Sequence, residues 1–422
     1  MIHPDREGRD GARHPEARLE EAAGLALALD LEVRERMIVT LRKLTPATLF
    51  GRGKVEEIAA LVEVEGLDVV VVDDSLTPVQ QRNLEKAWKA KVIDRTGLIL
   101  EIFARRARTR EGRLQVELAR LTYERSRLVR TWTHLERQRG GFGVMGGPGE
   151  TQIETDRRLI AEKIGKLKRE LVEVRRTRTL QRSARRRVPF PSVALVGYTN
   201  AGKSTLFNRL TRAEVLAQDM LFATLDPTLR SLKLPDGRSA ILSDTVGFIS
   251  DLPHELVEAF RATLEEVREA DVVLHVRDIA SEETEAQAAD VREVLERLGL
   301  DMDERRILEV WNKVDLLPED GRQTVVGDAR RAHPPAVPVS AVTGEGIDDL
   351  LEAVAGLVDE APPVEIRTSA GEGAAIAWLY QHGRVLERDT DEEGGVRLSV
   401  SLTAQALGQF ERLFPQAGIQ PR

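Results

Sequence analysis

The sequence predicts a multidomain α/β protein, and three observations carry that expectation. The chain has 422 residues, more than a single hydrophobic core organises, so two to four domains are expected. From Val193 onward strand and helix signals alternate, the pattern of a mostly parallel sheet with helices on both faces. Ahead of that run lies a Leu- and Arg-rich stretch with helical spacing, interrupted by RGGFGVMGGPG at Arg139–Gly149. With 41% hydrophobic and 31% charged residues, 32 Gly and 18 Pro, the composition is globular rather than disordered or fibrous.

Residues 1–106 read as an N-terminal α/β unit. Asp68–Asp74 (DVVVVDD) is a buried strand, a helix follows from about Pro78 to Ala90, and Lys91–Asp94 (KVID) is a further strand. The opening MIHPDREGRDGARHPEAR is polar, and the apolar stretch Ala22–Leu29 is too short for a signal peptide or a membrane span. Gly51-Arg52-Gly53-Lys54 lacks both the spacing of a phosphate loop and a strong preceding strand, so it is expected to be a turn into a helix over Lys54–Glu63. The chain has no cysteine, which excludes disulfides, thiolate metal sites and cysteine nucleophiles, and fits a reducing, cytoplasmic setting.

Residues 107–187 read as an antiparallel helical hairpin with a glycine-rich tip. Leu114, Leu118, Leu121, Leu128, Trp132 and Leu135 form one apolar seam, and Ile160, Ile164, Leu167, Leu171 and Val174 another. Thr151, Glu154 and Asp156 suit the start of the second helix, where the dipole favours negative charge. The net charge of −8 conceals an uneven distribution: Glu101–Arg187 carries 24 basic and 11 acidic residues, a net +13, against −21 elsewhere. Arg137 and Arg139 beside the tip, and Arg157 and Arg158 beyond it, are therefore candidates for contact with RNA phosphates.

Val188-Pro189-Phe190-Pro191 opens the unit over residues 188–360. Gly197-Tyr198-Thr199-Asn200-Ala201-Gly202-Lys203-Ser204 matches GxxxxGK[ST] between the strand Val193–Val196 and a helix beginning near Ser204. The backbone N–H groups of such a loop, through Thr205, converge on phosphate oxygens. Lys203 would reach the β- and γ-phosphates, and the Ser204 hydroxyl would ligate Mg²⁺. After a turn at Pro235-Asp236-Gly237 and the strand Ala240–Ser243 comes Asp244-Thr245-Val246-Gly247, whose Asp244 can hold a Mg²⁺ water and whose Gly247 N–H can touch a γ-phosphate. Asn312-Lys313-Val314-Asp315 ends the strand Ile307–Val310. The Asp315 carboxylate would accept from guanine N1–H and the exocyclic amine, a donor pair adenine lacks. Ser340-Ala341-Val342, after the strand Val337–Val339, would supply an N–H to the guanine oxygen.

Phe222-Ala223-Thr224-Leu225-Asp226-Pro227-Thr228 lies where a switch loop should offer a threonine to Mg²⁺ only when a γ-phosphate is present, and Thr224 and Thr228 are both candidates. The residues expected to act in catalysis are Lys203, Thr224 and Gly247. Phe248 stands where many GTPases place a water-orienting glutamine, so intrinsic hydrolysis is expected to be slow. His275, behind VVLH, reads as a packed core histidine. Ala361-Pro362-Pro363 begins a small C-terminal α+β unit, 361–422, with a half-buried strand at Val396, Leu398, Val400 and Leu402 and a closing helix over Thr403–Phe414.

The motifs GYTNAGKS, FATLDPT, DTVGF, NKVD and SAVTG resemble a translation-factor-class P-loop GTPase. GRGKVEEIA, VIDRTGLILEIFARRA, EGRLQVELA and GGPGETQIETDRR resemble the HflX family of ribosome-associated GTPases, over about Leu49–Glu360. The resemblance implies a Mg²⁺-dependent GTPase, monomeric, that binds GTP and GDP and the large ribosomal subunit with its RNA and separates stalled ribosomes into subunits. It also favours Thr224 as the metal ligand. A signalling or adaptor GTPase that meets a protein partner through the hairpin is the alternative.

Overall fold

The computed structural model describes residues 1–6, 13–138, 148–185, 190–212, 221–222, 224–225, 228–251, 266–297, 299, 306–358, 364–369, 372–390, 395–402 and 404–421. The N-terminal unit is a four-stranded parallel sheet in the order β2-β1-β3-β4, formed by β1 (Ile2–Asp5), β2 (Met37–Thr40), β3 (Val69–Val72) and β4 (Lys91–Asp94). Four helices connect and cover it: α1 (Pro15–Leu27), α2 (Arg52–Glu65), α3 (Pro78–Trp88) and α4 (Arg95–Arg106). Each boundary has a local cause. Thr77 and Gln80 close a reciprocal capping box ahead of Pro78, and the Asp94 carboxylate accepts from the Gly97 N–H at 2.8 Å to cap α4. Gly51 is the N-cap of α2 and Arg52-Gly53-Lys54 its first turn, with Arg52 paired to Glu56, Lys54 to Glu57 and open space beside both glycines, so the helix starts two residues before the expected Lys54. Strands β1 and β2 have no counterpart in the sequence reading. IHPD and MIVT are four-residue segments, and the first contains a proline, so neither carries a strand's periodicity.

Helix α5 (Arg110–Gln138) and α6 (Pro148–Arg185) pack on one another. The Thr109 hydroxyl accepts from the Gly112 N–H at 2.9 Å and caps α5. Ile164, Leu167 and Leu171 are buried, as the second apolar seam requires. The first seam is shifted from expectation. Leu114, Leu118 and Leu121 are half-buried against α6, whereas Gln115, Val116 and Ala119 are fully buried. Helix α5 packs on α3 and α4 as well as on α6, and the face turned to α4 and the central core is the drier one. Leu128, Trp132, Leu135 and the Arg137 side chain, like Arg139, lie outside the described residues.

The central sheet has six strands in the order β10-β9-β8-β5-β7-β6. They are β5 (Ser192–Gly197), β6 (Thr228–Lys233), β7 (Ser239–Asp244), β8 (Val272–Asp278), β9 (Ile307–Asn312) and β10 (Ala336–Pro338), with only β6 antiparallel to its neighbour. Helices α7 (Lys203–Thr211), α8 (Thr284–Arg297), α9 (Glu319–Ala329) and α10 (Ile347–Val358) accompany it. The chain leaves β5 toward β6 and β7 on one side and returns to β8 on the other. The carboxyl ends of β5 and β8 therefore flank the crevice where such sheets take ligands.

One hydrophobic core joins this sheet to the N-terminal unit. It includes Leu98, Ile99, Ile102 and Phe103 of α4 together with Val246, Phe248, Ile249 and Phe222. Phe103 and Phe222 meet edge to face, ring centroids 4.7 Å apart. Burying a side chain the size of Phe103 contributes about 2–3 kcal/mol. The C-terminal unit has the order β11 (Val364–Ser369), α11 (Gly373–His382), β12 (Arg384–Thr390), β13 (Gly395–Ser401), α12 (Ala404–Leu413), β14 (Gly418–Pro421) and forms an antiparallel sheet β12-β13-β11-β14. Val396, Leu398 and Val400 alternate inward onto Leu379 and Phe410, as their period-two spacing requires.

Candidate functional site: a phosphate loop, two switch segments and a base pocket

The loop after β5 turns on two glycines that the chain cannot replace. A Cβ on Gly197, φ +150°, would lie 2.2 Å from the Val276 carbonyl oxygen, and one on Gly202, φ +89°, would lie 2.2 Å from Asn312 Nδ2. Gly202 is the N-cap of α7, so the free N–H groups of that helix face the loop's concavity. Lys203 Nζ folds back to donate to the carbonyls of Gly197 (3.1 Å) and Tyr198 (2.7 Å). Burial pulls its pKa down to about 8, with Asp244 opposing the shift.

Three oxygens converge at the start of α7. Ser204 Oγ is 2.8 Å from Asp244 Oδ2 and 3.0 Å from Thr224 Oγ1, and Thr224 Oγ1 is 2.9 Å from the same carboxylate oxygen. Among the described residues Asp244 Oδ1 is buried with no hydrogen-bond partner, and burial raises the carboxyl's pKa. Two hydroxyls on one carboxylate oxygen, with the carboxylate's other oxygen unpaired, are a donor set that suits Mg²⁺. Thr228 opens β6, opposite Asp244 in the strand register. Ala223 and Asp226 lie outside the described residues.

Gly247 lies against the phosphate loop, where an added Cβ would come within 2.9 Å of Thr199 Cγ2 and 3.0 Å of Lys203 Nζ. Beside it Thr245 Oγ1 donates to the Leu195 carbonyl at 2.6 Å. Phe248 is pinned by its backbone, donating to the Gly197 carbonyl at 3.1 Å and accepting from the Thr199 N–H at 2.7 Å. Its ring is fully buried. Ser250, two residues on, enters a network the sequence reading missed. Its N–H donates to the Tyr198 hydroxyl at 2.8 Å and its Oγ to Glu21 at 2.8 Å, while Arg95 donates to its carbonyl (3.1 Å) and Oγ (2.9 Å). Arg95 also holds Asp73 at 2.6 Å and Glu21, and the Tyr198 hydroxyl donates to Glu21 and accepts from Arg13. Burial alone would push the Asp73 carboxyl up, but Arg95 and His3 hold it down to about 2. Burial pushes the Tyr198 phenol up, and Glu21 adds to that shift. The sequence signal was available in VIDRTGLILEIF, where an arginine sits among apolar residues.

At the other end of the crevice, Asn312 joins three motifs. Its Nδ2 donates to the Ala201 carbonyl at 2.8 Å and its Oδ1 accepts from the Ala341 N–H at 3.0 Å. Lys313, φ +70°, places its ammonium 2.7 Å from Asp278. Val314 is buried, while Asp315 is half-buried and Val342 exposed at the mouth. The Ser340 hydroxyl accepts from the Thr343 N–H at 3.0 Å and shapes the turn. Leu225 is buried, and Thr205 follows Ser204 in the first turn of α7. His275 is fully buried 3.7 Å from Glu309, with its pKa lowered by burial, in keeping with a core role. Arg157 and Arg158 are exposed on α6.

Four family models match the chain in order. They are GTP-binding GTPase N-terminal (residues 16–104), GTP-binding GTPase Middle Region (106–185), 50S ribosome-binding GTPase (192–313) and HflX C-terminal domain (325–420). The GTPase HflX of Magnetococcus marinus is 52% identical over 95% of this chain and 92% of its own. The chain belongs to the HflX family. The Escherichia coli GTPase HflX is 46% identical over 91% of this chain and 89% of its own. The solved structure of SsGBP in complex with GDP is 24% identical, covers 85% of this chain and 98% of that one, and has a TM-score of 0.49. This member of the HflX family is accordingly a GTPase, hydrolysing GTP to GDP and phosphate. Among its described residues no helix is long and apolar enough to cross a membrane.

Proposed function

We propose that this HflX-family GTPase is a cytoplasmic, monomeric switch that binds the large ribosomal subunit in its GTP state and promotes dissociation of stalled ribosomes into subunits. The observation that carries the switch reading is the position of Thr224. Its hydroxyl lies on Ser204 and Asp244, while Phe222, two residues earlier, packs on Phe103 of the N-terminal unit. A γ-phosphate that orders Thr224 would therefore be felt in the body that carries the basic hairpin.

In this reading the phosphate-loop residues Gly197 through Thr205 cradle the phosphates, and Lys203 turns from its carbonyl partners to the β- and γ-oxygens. Phe222, Ala223, Leu225 and Asp226 flank the switch threonine, and Thr245 and Val246 carry Gly247, whose N–H meets the γ-phosphate. Asp315 reads the guanine edge, a backbone N–H of Ser340-Ala341-Val342 reads O6, and Asn312, Lys313 and Val314 shape the pocket. Ser204, Thr224 and, through water, Asp244 would hold Mg²⁺, which when bound neutralises charge on the β- and γ-phosphates. Phe248 offers no hydrogen bond to an attacking water and is pinned on the phosphate loop, so the ribosome must move this segment or supply the missing group.

Engagement with RNA is supported by the +13 charge of Glu101–Arg187 and by Arg157 and Arg158 on the exposed face of α6, with Arg137 and Arg139 nearer the tip. Sedimentation with ribosomes over a salt series, comparing a GTP analogue with GDP, tests it. Co-sedimentation should favour the analogue and weaken steeply with salt, and free subunits should appear on a sucrose gradient. Absence of nucleotide-dependent binding at low salt removes the ribosome reading in favour of a protein partner. Single-turnover hydrolysis should be slow for the isolated protein and accelerate with ribosomes.

A further inference from the structure

We propose that two arginines outside the nucleotide motifs, Arg209 and Arg322, are positioning residues for guanine recognition; the inference rests on the base-pocket assignment above. Both loops that would face the base present backbone carbonyls that a guanidinium takes up. In the turn Ser340–Glu345, internal bonds run from Thr343 N–H to Ser340 Oγ, from Gly344 N–H to the Ser340 carbonyl at 2.8 Å, and from Ser340 N–H to the Glu345 carbonyl at 2.9 Å. The carbonyls of Ala341 and Val342 go to Arg209, which donates Nε to the first at 3.0 Å and Nη2 to the second. Arg209 stands in the last turn of α7, whose first turn carries Lys203 and Ser204. One short helix thus spans from the phosphate loop to the Ser340-Ala341-Val342 loop that would supply a backbone N–H to guanine O6.

The second loop is built the same way. Val314–Leu316 makes a single tight turn closed by Leu316 N–H to the Lys313 carbonyl and Leu317 N–H to the Val314 carbonyl, both at 3.1 Å. Arg322, from α9, donates Nε to the Leu317 carbonyl at 3.1 Å and Nη2 to the Asp315 carbonyl at 2.9 Å. Its Nη1 is also 3.8 Å from Glu345, so this side chain sits where the two loops meet. A guanidinium offers several donors in a rigid plane and can hold two carbonyls at once, which a lysine ammonium, a compact point charge, does less well. Fixing the Asp315 backbone before the base arrives lowers the ordering cost of presenting both carboxylate oxygens together.

The test measures the dissociation constants of GDP, IDP, ADP and 2-aminopurine riboside diphosphate by calorimetry on the full-length protein. Hypoxanthine lacks the exocyclic amine that Asp315 would bind but keeps N1–H and O6, whereas 2-aminopurine keeps the amine and lacks both O6 and N1–H. Arg322→Ala should narrow the GDP-to-IDP preference by about three- to tenfold, the worth of one hydrogen bond. Arg209→Ala should leave that ratio unchanged and instead narrow the GDP-to-2-aminopurine preference by about the same factor. Should an alanine variant unfold, Arg322→Lys and Arg209→Lys carry the same comparison. An Arg322 variant that weakens GDP and IDP by one common factor overturns its role, as does an Arg209 variant that leaves both preferences intact. If the wild-type protein prefers GDP over neither IDP nor ADP, the base-pocket assignment itself fails, and the inference with it.

Discussion

At the base end of the nucleotide site, partly exposed loops are held by hydrogen bonds to backbone carbonyls, from Asn312 to Ala201, from Arg209 to Ala341 and from Arg322 to Asp315. At the switch end the equivalent segment, Gly247–Ser250, rests on another unit through buried charges and an aromatic ring, Arg95, Glu21, Asp73 and Phe103, with Tyr198 of its own phosphate loop bonded to both sides. The difference follows from what each end must do. In the proposed reading the base pocket has no need to move between nucleotide states, and short-range bonds to its own neighbours suffice. A switch must be able to leave its position, and what it leaves is a surface belonging to the N-terminal unit.

If the two ends are independent, damage at one should not reach the other. The largest expected effect is Arg95→Ala. It strips the buried carboxylates of Asp73 and Glu21 of their guanidinium and should cost about 3–5 kcal/mol in urea unfolding, while GDP affinity changes less than about twofold. A GDP affinity that falls in step with stability would break the distinction. Next, Asp315→Asn inverts the hydrogen-bond pattern offered to the base. It should shift preference from guanine toward xanthine nucleotides by about a hundredfold or more, with the unfolding curve unchanged. Retained GTP preference would refute the pocket.

Asp73 supplies a pH test confined to the switch end. Its carboxyl is held down to about 2 in the folded protein, so it contributes stability above the ordinary carboxylate pKa, about 2 kcal/mol at neutral pH. That contribution is lost as pH falls from about 5 through about 2. Asp73→Asn should flatten this part of the urea-unfolding profile and leave nucleotide affinity at pH 7 alone. The smallest effect is expected of Tyr198→Phe, which removes the acceptor for the Ser250 N–H. A loss of about 1 kcal/mol and faster hydrogen exchange at the Ser250 amide are expected.

Much of the nucleotide site was legible because its chemistry is local. GYTNAGKS had to lie between a strand and a helix, and Gly197 and Gly202 adopt the conformations that spacing demands. The alternation Val396, Leu398, Val400 likewise specified which face of β13 is buried. Strands β1 and β2 were not legible, since four-residue segments in a parallel sheet owe their state to distant partners such as Met37 for Ile2. The seam of α5 was misplaced for a related reason. A helix with two packed sides shows two overlapping periodicities, and the sequence does not say which neighbour excludes more water.

By itself, then, the sequence determined the order of the units, the strand–loop–helix around GYTNAGKS, the place of NKVD at a strand end and the separation of positive charge into one arm, all properties of contiguous residues. Between Thr224 and Thr228 it left both open, and the structure places the Thr224 hydroxyl against Ser204 and Asp244. Only the tertiary structure decided that Ser250 would face Arg95, that Phe222 would face Phe103, and that Arg209 and Arg322 would close on the base loops. Except for Arg322, which reaches back five and seven residues, these pairings join residues far apart in the chain. The burial and charge neutralisation that select them exist only once the core has formed.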